Sequence, residues 1–417
     1  MSLRLRNAAR CSALLTAATA ITALTSGTAG ASNLPAPTHL PAAQFTLTSD
    51  YHKYDAINNG LTGRLPISPV HTVMDHANLN REPLDMNPKP AGVAGGFQFD
   101  ETDNGDCRNY PQGITTSRDA VGSTNGGTYD GHQLVAVSWY TKDKCGDTGK
   151  GVRSRITLAD WDATYPDKYR KILLVEPTGS FGSPDFTDIP IHAGGISWYG
   201  DYLYVADTSG GMRVFDMRKI LEVNTDGPAD QIGRHGDKFY AHKYRYVLPQ
   251  VGTISSHVAS GDTKKLTWST ISLDRAKPSI VMTEYTCKPE DTPKSEDACK
   301  PGDTTPAGKP RAVRFPFAPG TELFAPKTVA TEALTLPWYK INGVGSHNGR
   351  WWFNSSGAKI LYYWSPREGS AAHDWNLPFG ESISYWEDPN GADLLWTLQE
   401  GKGNRNVFAV KQATYGG

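Results

Sequence analysis

Beyond residue 31 the sequence has no apolar run long enough to cross a membrane. It contains no G-x-S-x-G, H-E-x-x-H, P-loop or Rossmann fingerprint, so none of those chemistries has a signature here. An excess of one charge is also missing. There are 42 Lys and Arg against 43 Asp and Glu, a net charge of −1. That balance gives nucleic acid or an anionic membrane nothing to grip. Cysteine is scarce, five in 417 residues, and no pair is spaced C-x-x-C. A thiolate zinc site is therefore disfavoured.

What is present begins with a targeting pattern. Arg4, Arg6 and Arg10 precede Ser12–Ile21, the start of an uncharged Ala/Leu/Thr run, and Ala29-Gly30-Ala31 forms a small-residue cleavage site. This predicts an export signal over 1–31 and a secreted, extracellular chain. Cys11 lies at the start of the apolar run, where no lipid anchor is attached. Removing three arginines takes the net charge from −1 to −4 and leaves 386 residues. Four cysteines remain, Cys107, Cys145, Cys287 and Cys299. In an exported chain an even count reads as two disulfides, with three pairings available.

The stretch His192–Met217 sets the architecture. Gly195–Tyr199, Tyr202–Asp207 and Met212–Asp216 alternate with period two between Gly-rich turns, as an antiparallel meander does. The pattern recurs. First strands are expected around Ile114, Ile196, Ile254, Val344 and Ile383, each a β-branched residue between small ones. Small residues suit strands that crowd an axis. Aromatic-rich second strands follow at Gln133–Tyr140, Tyr202–Asp207, Lys265–Ser272, Arg350–Ser355 and Asp393–Gln399. Lys168–Leu173 and Lys243–Leu248 match as fourth strands.

Five four-stranded antiparallel units predict an all-β fold, a β-propeller. A sixth blade within residues 45–110 stays open. The last unit stops after its third strand, so Phe45–Leu47 or Phe97–Phe99 is expected to supply the missing strand and close the ring. The domain reading is 1–31 signal, 32–95 leader and irregular wrap, 96–417 propeller. Loops from fourth to first strands and from second to third strands share one face. Cys107 and Cys145 then fall on that face and are expected to pair. Cys287 and Cys299 share one loop and form the other pair, worth about 3 kcal/mol on the loop-entropy argument.

Tyr204-Val205-Ala206-Asp207-Thr208 followed by Met212-Arg213-Val214-Phe215-Asp216 resembles the repeats of NHL-type and related bacterial propellers. The resemblance implies the fold and carries over no ligand or catalytic set.

Candidate site residues follow from position in the repeat. Gln112, His192, Gln250, Asn342 and Glu381 precede the expected first strands and should converge at the channel mouth. Such convergence suits a small polar ligand or glycan, bound by a monomer. The competing reading is a rim of mutual hydrogen bonds. His257 and His347 follow their expected first strands and could hold a divalent metal at the opposite end, with Asp75 and His76 as further candidates. Trp198 and Trp386 are candidates for stacking on sugar. A catalytic version, a glycoside hydrolase or polysaccharide lyase, would use Glu381 with a second acid from Asp100, Glu101, Asp103 or Asp106. A protein-interaction platform is the remaining class. Asn354-Ser355-Ser356 matches a glycosylation sequon.

Overall fold

The structure, a computed structural model, describes residues 34–142, 152–162, 167–259, 265–288, 308–375 and 377–416. It is a β-propeller. Blade one runs Asn109–Thr116, Leu134–Thr141, Ser154–Asp160 and Lys168–Gly179. Blade two runs Ile196–Tyr199, Tyr202–Asp207, Gly211–Asp216 and Tyr246–Val258. Blade three runs Thr270–Asp274, Ser279–Thr283, Arg311–Pro316 and Glu332–Thr335. Blade four runs Ile341–His347, Arg350–Ser355, Ile360–Ser365 and Gly369–Asp374. Blade five begins with Gly380–Trp386, Leu394–Gln399 and Asn406–Lys411.

Val93–Phe99 completes blade five, with Asn406 opposite Gln98 and Val407 opposite Phe97. Leu79–Pro83 pairs beyond it. The N-terminal strand thus satisfies the edge that the third strand of the last blade would otherwise expose. Phe45–Asp50, the other candidate, adds instead to the outside of blade two. The segment between them is not wholly irregular. It holds two short helices, Asp55–Thr62 and Val70–Asp75, which bury Leu61, Val70, Val73 and Met74.

Successive first strands adjoin one another, and that of blade five returns to blade one. The apolar core is accordingly divided into wedges. Ile156 and Ile172 pack with Trp198 and Val205 between blades one and two. Val137 and Trp139 pack with Trp396 and Leu398 between blades one and five. At the axis the backbones nearly touch. A Cβ on Gly113 would lie 2.6 Å from Ile196 N, and one on Gly195 would lie 2.2 Å from Ile271 N. Only glycine permits that approach.

Blade three departs from the expected framing. Thr253–Ser256 is not a first strand. It continues Tyr246–Val258, the fourth strand of blade two, and pairs with Gly211–Arg213 and with Ser49. The first strand is Thr270–Asp274, which had read as part of a second strand. Both segments contain Thr-Ile-Ser. No turn separates Leu248 from Thr253, so the chain runs straight on, and the second copy takes the axis.

Cys145 and Cys299 lie outside the described residues. Their expected partners, Cys107 and Cys287, are each in the disulfide-bonded form.

Candidate functional site

Four of the five expected residues meet at one mouth of the channel. His192 Nε2 lies 2.6 Å from Gln112 Oε1. The Gln112 amide donates to Glu400 Oε2 at 2.6 Å. The Asn342 amide donates to Glu381 Oε1 at 2.9 Å. Asn342 and Glu381 are second in their first strands, Gln112 lies within Asn109–Thr116, and His192 precedes Ile196–Tyr199, so closing the ring gathers them from distant places in sequence.

Gln250 is the exception. It belongs to the outer strand of blade two, where its Oε1 accepts from Arg213 Nη1 at 2.8 Å and its amide donates to Gly252 O. The slip in blade three explains the error. The equivalent position is filled from Ser269-Thr270, where Thr270 Oγ1 meets Ser382 Oγ at 3.2 Å across the channel.

Glu381 is buried, and its carboxyl is pushed well above the ordinary range. Burial is the largest cause, followed by the charge of Glu400; the Asn342 amide and Lys142 oppose both. Glu381 therefore favours its protonated form beside the second acid. His192 is open to solvent on one side and packed on the other, its ring 4.2 Å from that of Tyr140. Desolvation and then the Lys142 ammonium hold the imidazole below its usual pKa, favouring the neutral ring. Lys142 Nζ rests 4.4 Å from the Tyr110 ring centroid and 5.0 Å from that of Tyr140. Asn342 Oδ1 and Tyr140 Oη are buried atoms without a hydrogen-bond partner among the described residues.

Glu400 and Lys142 were missed by sequence reasoning. Both directly follow second strands, Leu394–Gln399 and Leu134–Thr141. The rule that placed the Cys107–Cys145 loop on this face would have placed them here too. Two of the acids expected to partner Glu381 are engaged elsewhere. Asp103 is buried against Arg155 Nη2 and Lys171 Nζ, both at 2.7 Å, and Tyr169 Oη. Asp100 caps the short helix Glu101–Asn104.

The metal pair does not form. His257 lies exposed on the outer strand of blade two, opposite Thr46, because the segment before it is a fourth strand. His347 does reach the far end of the channel, stacked 4.1 Å from Tyr385. The cavity there, lined by Arg118, Asp119, Arg275 and Glu387 as well, has a volume of about 10 Å³, room for about one water molecule. His76 hydrogen-bonds Tyr246 Oη at 2.7 Å. A group the sequence reading did not single out, His132, Asp160 and Asp162, is close enough to hold a metal ion. Its members already bond one another: His132 Nδ1 lies 2.9 Å from Asp160 Oδ2, and Asp160 Oδ1 accepts from the Asp162 backbone.

Trp198 and Trp386 are buried and cannot act as sugar platforms. Asn354 of the sequon is fully buried and donates to Glu381 O, closed to modification in the folded chain.

No protein-family model matches the chain, and no curated protein does. Several solved structures are distantly similar. A streptogramin B lyase has TM-score 0.30 at 10% identity, over 75% of this chain and 96% of its own. BT0996, solved as an RGII complex, has TM-score 0.31 at 11% identity, over 78% and 91%. Hydrazine synthase of Kuenenia stuttgartiensis has TM-score 0.29 at 10% identity, over 73% and 96%.

Proposed function

We propose that the protein is exported and binds a small, hydroxyl-rich molecule, a carbohydrate, at the channel mouth. One observation supports this reading above the others. Amides, an imidazole and a carboxyl from separate blades converge there, with Asn342 Oδ1 and Tyr140 Oη left unpartnered. Buried polar atoms without partners are costly, and sugar hydroxyls can both donate and accept. The pairings Cys107–Cys145 and Cys287–Cys299 belong to the same reading, since disulfides persist outside the cell. Among the described residues no helix is long and apolar enough to cross a membrane.

The experiment is a glycan array with the parent and a His192→Ala/Glu381→Ala double variant. The double variant should keep the parent's melting profile and lose its glycan signal. If both bind alike, the site lies elsewhere.

A second reading is favoured by Glu381 and Glu400 together. A protonated carboxyl beside a second acid is what general acid–base cleavage of a glycosidic bond requires. Glu381→Gln should then bind glycan and release no reducing sugar. A parent that binds glycan without cleaving it leaves the binding function alone.

A further inference from the structure

Phe379 combines two unfavourable features at one position. Its side chain is 52% exposed, and its backbone adopts φ 56°, a left-handed conformation that bulky residues avoid. Glycine or asparagine would occupy the position with less strain. Strained residues that persist point to function when a site is adjacent.

The adjacency is direct. Phe379 lies two residues before Glu381, and its carbonyl accepts from Glu400 N at 3.0 Å. The preceding carbonyl, Pro378 O, accepts from the Gln399 amide at 3.1 Å. The ring lies over Gly401, where an added Cβ would sit 3.0 Å from Phe379 Cδ2. The segment that holds the ring therefore also fixes the backbone of both acids. Other aromatics at this mouth are occupied: Tyr140 faces His192, and Tyr110 carries Lys142 on its ring.

We infer that Phe379 is the stacking platform for the sugar. The class of ligand follows from this: a pyranoside with a contiguous C–H face. That face packs on the ring while its hydroxyls reach Gln112, Asn342 and Glu381. Aromatic rings offer such faces a large rigid contact at little entropic cost. This inference rests on the carbohydrate reading above.

The test is calorimetric titration of β-linked gluco- and galacto-oligosaccharides into the parent, Phe379→Trp, Phe379→Ala and Phe379→Gly. Phe379→Trp should bind about as tightly as the parent, and the Ala and Gly variants roughly tenfold more weakly. Phe379→Gly should melt at or above the parent temperature, because glycine accepts the left-handed backbone. Loss of binding without loss of stability separates a platform from a structural residue. If the Phe379 variants bind like the parent while His192→Ala/Glu381→Ala does not, the platform is wrong and the carbohydrate site stands. If Phe379→Gly melts well below the parent, the ring is structural and the inference fails. If the parent binds none of these oligosaccharides, the platform assignment fails with its ligand class; a glycan-array signal lost in the double variant would leave the carbohydrate site itself standing.

Discussion

Asp119 shows how much one buried carboxyl can report. It lies at the channel end opposite Glu381 and accepts from Thr115 Oγ1 at 2.7 Å, Ser384 Oγ at 2.5 Å and Thr116 N at 3.1 Å. These bonds tie the first strand of blade one to that of blade five. Burial, the largest cause, raises its pKa to about 6, and the three donors only partly oppose it. A carboxyl raised on folding contributes stability that is complete below its unfolded pKa. That contribution is lost as pH rises through the folded value. Two units correspond to roughly 3 kcal/mol. The melting temperature of the parent relative to Asp119→Asn should therefore fall as pH rises from 4 to 8, most steeply between the unfolded and folded values, and level off above about 6. A difference that does not vary with pH would show that Asp119 does not titrate in this range. The sequence reading gave Asp119 no role, although the capping box Thr116–Asp119 marks it.

At the scale of elements, the closing strand decides the most. Phe99 on Val93–Phe99 is buried, 4.7 Å from the Trp139 ring and 5.2 Å from that of Tyr169. It joins blade five to blade one. Truncating it leaves a cavity in that wedge, so Phe99→Ala should cost about 3–5 kcal/mol in urea unfolding, with the slope unchanged. A cost below about 1 kcal/mol would mean that the strand contributes little to the seam. Its place was readable, because the last unit visibly lacked a fourth strand. The slip in blade three was not. Thr253-Ile254-Ser255 and Thr270-Ile271-Ser272 present the same local pattern. The close approach of Gly194 to Ser269 and of Gly195 to Ile271 places the second at the axis.

The propeller is a ring closed where Val93–Phe99 and Asn406–Lys411 meet in one sheet. A protein lacking residues 1–99 should expose the edge of Asn406–Lys411 and elute from size exclusion as aggregates. A monomer with unchanged melting would overturn the closing role of that strand. Period-two alternation, turn spacing and the missing last strand are local or countable features, and they determined the propeller, the need for an N-terminal closing strand and four members of the mouth; which of two segments closes the ring was decided in the fold. Position in a repeat translates into position on an axis without knowledge of any side-chain contact. The register of blade three, the separation of His257 from His347 and the partner of Glu381 were decided only in the folded chain. Each depends on which distant backbones pack together. Gln112 and Glu400, 288 residues apart, become neighbours only when the ring closes.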